Sequence, residues 1–180
     1  MVQVFTIPQK RVLKQEDIAP LIDATEQSIE RPKKDQETYY SGKKKRHTLK
    51  TQIRTTTYGK ILDVSQTHPG SLHDFALDKK EPPPPKNAHL YADSGDQGLD
   101  KIHQRVEIPY KKPKKGELPD AEKDYNQTLS RIRVKVENVL AQLKVFKILS
   151  ARDRNKRLRY HEKFRIIAGI VNLKNGFGSF

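Results

Sequence analysis

The segment from Leu129 to Phe146 constrains the fold more than any other. Leu129, Ile132, Val136, Val139, Leu143 and Phe146 recur at intervals of 3, 4, 3, 4 and 3 residues. That interval keeps every one of them on one side of a helix, so the spacing predicts a long amphipathic helix with a continuous apolar stripe. A stripe of that length is stable only when it is covered. The chain therefore needs a partner layer, and residues upstream supply one.

Upstream, short apolar runs alternate with turn residues. Ile18 to Ile22 reads as a strand that ends at Asp23. His47 to Thr57 is rich in β-branched residues and alternates Leu49, Thr51, Ile53 against Lys50, Gln52, Arg54, the period-two mark of a half-buried strand. Tyr58-Gly59-Lys60 reads as a hairpin turn, and Ile61 to Thr67 as the returning strand. Ser71 suits the N-cap of a short helix over Leu72–Lys79. Pro82 to Pro85 is a rigid linker. Ala88 to Ala92 predicts a strand running into Asp93, a loop follows over residues 94–98, and Val106 to Tyr110 predicts a further strand. A second helix is expected over Tyr160–Asn172. Strands followed by a long one-sided helix specify an α/β domain, a mixed sheet flanked by helices with a long C-terminal amphipathic helix. No repeat at a fixed period is present.

Composition narrows the function. In 180 residues, Lys and Arg number 36 against 22 Asp and Glu, a formal net charge of +14. A chain this basic implies a polyanionic partner, nucleic acid before an acidic membrane surface. No apolar run approaches the ~18 residues a membrane span needs, and residues 1–11 contain no apolar signal region, so a cytoplasmic location is expected. The absence of cysteine excludes disulfides, zinc–thiolate centres and thiol catalysis.

Two carboxylates close apolar strands, Asp23 and Asp93. Either alone is better explained as the start of a turn, and the two together in the same context weaken that explanation. Glu137 lies in the long helix on the line Ser130, Arg133, Glu137, Lys144, which borders the apolar stripe. By itself this line describes a solvated flank with an Arg133–Glu137 ion pair worth about 0.3–0.5 kcal/mol. If the three carboxylates meet, they form a hard, all-oxygen donor set suited to Mg²⁺ or Mn²⁺. Two such ions about 4 Å apart activate a water or hydroxyl and stabilise a leaving oxygen on a phosphodiester. Other acids are weaker candidates: Asp74 reads as a helix first-turn carboxylate, and Asp96 as a loop cap. His47 and His73 are read as packing or hydrogen-bonding residues before phosphate contacts. Three basic runs, Lys43, Lys44, Lys45 and Arg46; Lys111, Lys112, Lys114 and Lys115; and Arg152, Arg154, Lys156, Arg157 and Arg159, point to nucleic-acid backbone contacts that position without reading sequence. Tyr39 and Tyr40 suit either base stacking or a strand-edge role.

The ordered set Asp23-Ala-Thr-Glu-Gln-Ser-Ile-Glu-Arg-Pro32, Tyr40-Ser-Gly-Lys-Lys-Lys-Arg-His-Thr-Leu-Lys50, Pro69-Gly-Ser-Leu-His-Asp74, Ala92-Asp-Ser-Gly-Asp-Gln-Gly98 and Arg133…Glu137…Lys144 resembles the catalytic domain of bacterial insertion-sequence transposases of the DDE type. The resemblance runs over residues 18–174. It implies a ribonuclease H-like fold, with Asp23, Asp93 and Glu137 as the acidic triad holding two Mg²⁺ or Mn²⁺ ions. Arg133 and Lys144 would contact DNA near the cleaved phosphate. Double-stranded DNA, as element ends and target, would be the substrate, cleaved and then joined by strand transfer in a homo-oligomer at the nucleoid. One position departs from the family pattern: Ser130 stands where a Tyr usually precedes the Arg by three residues. Residues 1–17 are read as a short N-terminal segment, a remnant of an upstream region whose role a separate reading-frame product would otherwise supply, and residues 175–180 as a tail. Two alternatives stay open, a nuclease without strand transfer and a catalytically inactive DNA-binding remnant. An RNA-binding module would explain the charge but not the placement of the acids.

Overall fold

The computed structural model describes residues 20–84, 88–93, 95, 98–114, 116–155, 157 and 159–178. Strand β1 (Leu21–Ser28) is the centre of the sheet. It pairs antiparallel with β3 (Arg46–Thr55) along its whole length, from Leu21 opposite Thr55 to Ser28 opposite Thr48. On its other side it runs parallel to β6 (Leu90–Tyr91), which is parallel in turn to β7 (Val106–Glu107). Three short strands share the outer edge of β3: β2 (Tyr40–Ser41), which follows the one-turn helix α1 (Gln36–Tyr39), β4 (Ile61–Val64) and β5 (His68–Pro69). An antiparallel meander continued by parallel strands on the far side of β1 is the mixed sheet that the ribonuclease H-like resemblance implies.

Helix α3 (Asp120–Val145) lies on one face of this sheet, and its position follows from its stripe. Leu129, Val136, Val139 and Leu143 are buried, while Ile132 and Phe146 pack partly buried at the margin of the same core. Leu21, Leu49, Ile53 and Val64 meet them from the sheet, and Leu149, Phe164, Ala168 and Val171 from the later helices. Phe146 leaves the helical conformation, and the short α4 (Lys147–Ser150) follows. Helix α5 (Tyr160–Lys174) then packs along α3 and β4. Asn172 fixes it there: its Oδ1 accepts from Ile61 N at 2.8 Å and its Nδ2 donates to Ile61 O at 2.9 Å. A smaller cluster, Ile22, Ala88, Leu90, Ala92 and Leu99, covers the opposite face beside β6.

Several local expectations are corrected. Asp23 does not end a strand; β1 begins at Leu21 and Asp23 is its third residue. The apolar run Pro-Leu-Ile marks a strand start because the polar residues that follow, Thr25 to Ser28, are held in the ladder by β3. The hairpin turn at residues 58–60 is present, with Gly59 at φ 95°, a conformation that suits glycine. The helix expected at Leu72–Lys79 is shorter, α2 (Asp74–Asp78), and Ser71 does not cap it; the Ser71 hydroxyl donates instead to Thr38 O at 2.5 Å. Strand β3 is buried on both faces rather than one. Lys50, Gln52 and Arg54 point toward α2 and the segment after it, and each is paired: Lys50 Nζ with Asp74 Oδ1 at 2.9 Å, Gln52 Nε2 with Asp78 Oδ1 at 2.6 Å, and Arg54 Nη1 with Pro82 O at 2.8 Å. Ile18, Ala19, Pro85, Asp96, Lys115, Lys156 and residues 1–17 lie outside the described residues, as do positions 179–180 of the tail.

Candidate active site

The β1–β6 register sets the site. Leu21 is the parallel partner of Tyr91; Asp23 follows two residues on within β1, and Asp93 two residues on, just beyond the end of β6. Side chains alternate faces along a strand, so two residues on is the same face again. Both partner residues, Leu21 and Tyr91, belong to the core beneath α3. The two aspartates are thereby brought to the side of the sheet that α3 covers.

Helix α3 completes the arrangement. Val136 is fully buried and fixes the rotation of the helix. Arg133 and Glu137, one turn apart, then flank the stripe on the side facing β6. Arg133 Nη1 lies 3.1 Å from Asp93 Oδ1, and Nη2 lies 4.0 Å from Glu137 Oε1. One guanidinium therefore links an acid from the sheet to an acid from the helix. The Asp23 carboxyl accepts from Ala24 N at 2.8 Å. Burial pushes its pKa up to about 6, against the Ala24 N–H and the Arg133 charge that pull it down, with the negative charges of Asp93 and Asp74 adding to the rise. A half-buried carboxylate that is hard to keep ionised, with other acids near it, is a site at which a cation lowers the free energy. The donor set is all oxygen, so it fits a hard divalent ion. Among the described residues, no three acidic or imidazole side chains are arranged to hold a metal ion as they stand, and a guanidinium bridges two of the three acids.

The family described as DDE superfamily endonuclease matches residues 22–174. The chain belongs to this family. The probable transposase for insertion sequence element IS702 of Microchaete diplosiphon is 40% identical over 173 residues, covering 93% of this chain and 62% of that protein. The DDE endonuclease chain thus spans less than two thirds of the length of the curated relative it matches. No solved structure matches it.

Around the acidic residues the DDE domain places its cations unevenly. Lys43, Lys44, Lys45 and Arg46 form the exposed turn into β3, and Arg46 Nη1 reaches Ser28 Oγ at 3.5 Å. Arg152 and Arg154 are exposed beyond α4, beside a cavity of about 380 Å³ that Gln27 and Lys147 also line. These two groups lie at the same end of β1, since Asp153 bridges to Ile29. Lys144 points into that end: its Nζ donates to Glu26 O at 3.0 Å and Leu149 O at 2.9 Å. Burial, then the charge of Lys44, lowers its pKa to about 8. Two of its three donors are thus spent on the fold. Lys111 and Lys112 are exposed at the opposite end, near the start of α3, and Lys111 lines an open cavity of about 690 Å³ with Glu107, Tyr110 and Tyr125. Tyr39 has one ring face covered by Arg157 at 4.4 Å, and Tyr40 meets His47 edge-on.

Two features escape sequence reasoning. Asp74 does sit in the first turn of α2, yet its charge also reaches Asp23 and a Cβ on Gly95 would lie 3.1 Å from its Oδ2, so it borders the site. The signal is available in β3, where Lys50 has to point somewhere. The second is a polar clamp. Tyr125 OH donates to Glu107 Oε2, His89 Nε2 meets Glu107 Oε1 at 2.8 Å, and His89 stacks on Tyr91 at 5.1 Å. These hydrogen bonds hold the Glu107 carboxyl below its ordinary pKa. They tie β6 and β7 to α3 just before the chain reaches Asp93, and no periodicity in the sequence marks them.

Proposed function

We propose that this chain is the catalytic domain of a DNA transposase that cleaves phosphodiesters at element ends and transfers the freed strand into target DNA. Asp23, Asp93 and Glu137 would hold two divalent ions, Mg²⁺ or Mn²⁺. Those ions, when bound, supply an activated water or 3′-hydroxyl and stabilise the leaving oxygen. The chain's own residues do the rest. The parallel register presents Asp23 and Asp93 together, and the buried stripe of α3 fixes the side from which Glu137 approaches. Partial burial of Asp23 strengthens the charge interactions there. Catalysis of this kind is positioning and charge neutralisation.

The observation that carries this reading is the register pair Leu21–Tyr91 combined with Arg133 joining Asp93 to Glu137. The basic surfaces support DNA as the substrate. Along α3, about 16 Å of helix axis separates Asn126, which holds the backbone of Tyr110, from Glu137, and about 10 Å separates Glu137 from Lys144. The Lys111–Lys112 group and the Lys43–Arg46 group thus flank the acids on both sides, as a duplex lying along the helix requires. Such contacts hold the backbone and leave end recognition elsewhere, in an assembly that joins two ends.

The test is Mg²⁺-dependent nicking of DNA carrying the element's ends. Asp93→Asn is expected to retain the fold by circular dichroism and to lose nicking by at least about a hundredfold, the scale of removing one group that stabilises transition-state charge. Unchanged nicking in that variant removes the triad from the mechanism. A strand-transfer product on a gel distinguishes the transposase from a nuclease that only hydrolyses.

A further inference from the structure

We propose that Arg133 is the internal counter-ion of the acidic triad: it occupies the position a divalent cation takes between Asp93 and Glu137, and it must be displaced when that cation binds. This rests on the reading that the triad is the metal site.

Three observations carry it. The guanidinium addresses both acids at once, at 3.1 Å from Asp93 Oδ1 and 4.0 Å from Glu137 Oε1. Its side chain is only 13% exposed, whereas those of Asp93 and Glu137 are 39% and 56% exposed. The cation is thus the inner member of the group and the acids the outer ones. Its Nε is buried without a hydrogen-bond partner, so the guanidinium is oriented for the carboxylates by its terminal nitrogens and not anchored at its root.

The chemistry follows. Carboxylates gathered at one point repel, and in the absence of a metal something positive must hold them together. Arginine does this better than lysine because its planar fork addresses two acceptors with separate donors. A divalent ion needs the same two oxygens, and a guanidinium held against them repels it. Metal binding and the Arg133 bridge therefore exclude each other. A guanidinium released at this point lies beside the scissile bond's expected position and is free to meet a phosphate, so loading with metal would also prepare the chain for DNA.

The experiment measures Mn²⁺ binding, with Mn²⁺ alone as probe, by the paramagnetic resonance signal of the free ion. Wild type, Arg133→Gln, Arg133→Lys, Asp93→Asn and Glu137→Gln are compared. Arg133→Gln is expected to bind Mn²⁺ about tenfold more tightly and to melt at lower temperature than wild type in chelator, with the difference removed by Mn²⁺. Arg133→Lys, which keeps the charge but reaches one acceptor, is expected to gain a few-fold, and it decides the matter if the Gln variant does not fold. Affinity in the Arg133 variants equal to or weaker than wild type overturns the proposal. If Asp93→Asn and Glu137→Gln nevertheless weaken Mn²⁺ binding, the triad stands and only the counter-ion role falls. If those two variants bind as wild type does, the triad is not the metal site and both readings fall together.

Discussion

Gln27 shows how much a single polar side chain organises here. It is almost fully buried on β1, donates to Ile148 O at 2.9 Å and Ala151 O at 2.6 Å, and accepts from the Tyr160 hydroxyl. It thereby joins β1, the α4 region and α5 at one point. Replacing it by Leu keeps the approximate volume and leaves two carbonyls and a phenol without partners. Each orphaned group costs about 1–3 kcal/mol. Gln27→Leu is therefore expected to lower the unfolding free energy by about 3 kcal/mol or more in urea titration, with DNA cleavage per folded molecule unaffected. Nothing in the sequence distinguishes Gln27 from an exposed strand glutamine. Its importance comes from residues more than 100 positions away, which no local pattern reports. The same holds for Asp23, whose neighbours set its burial, and for Lys144, whose ammonium reads as available in the sequence and is largely committed to carbonyls of β1 and α4 in the fold.

At the scale of elements, α3 is legible in the sequence and the polar face of β3 is not. The stripe of α3 obeys a single period over many residues, so its burial follows from arithmetic. In β3 the same logic assigns Lys50, Gln52 and Arg54 to solvent, because polar residues on alternate positions usually face water. They are buried because α2 and the residues after it supply matched partners, a tertiary fact. Asp78, the partner of Gln52, carries a pH signature. Burial pushes its pKa from 3.8 to about 6, with Asp74 and Glu81 adding to the rise and Gln52 and Arg54 opposing it. A raised carboxyl value means that the folded state prefers the protonated acid. The stabilisation from Asp78 is complete below pH ~4 and is lost as pH rises through about 6. Asp78→Asn, which keeps a neutral partner for Gln52, is expected to be more stable than wild type at pH 8 by about 2–3 kcal/mol and equal to it near pH 4. Thermal melts across that range check it. Asp23 has the same sign, so the variant retains part of the pH slope; a slope unchanged from wild type would remove Asp78 as its source.

At the scale of the whole molecule, charge is segregated: acids gather at the β1–β6–α3 junction and exposed cations gather at its two ends. The charge runs are visible in the sequence, and so is their implied partner. What they cannot reveal is that the Lys43–Arg46 turn and the Arg152–Arg154 segment, over 100 residues apart, share one end of β1. Cations that neutralise phosphates release counter-ions, and the logarithm of affinity then falls linearly with the logarithm of salt concentration. Replacing Lys43, Lys44 and Lys45 with Gln is expected to weaken binding to unrelated DNA sequences equally. It should reduce the steepness of that line by about one unit for each phosphate that is no longer neutralised. A change confined to one DNA sequence would assign this turn to base recognition instead.

The parallel contact between β1 and β6 has a consequence for how the chain matures. Asp23 leaves the ribosome early, Asp93 after most of the sheet, and Glu137 only with α3, so the acids accumulate in the order of synthesis. The meander of β1, β3 and β4 involves near neighbours and forms fast, whereas seating β6 beside β1 closes a long loop and is slow. A nascent polypeptide interrupted before α3 lacks Glu137 and Arg133 and the helix that covers one face of the sheet. Arg133 and Glu137 thus join Asp23 and Asp93 last, and the acidic junction exists only in a nearly finished chain.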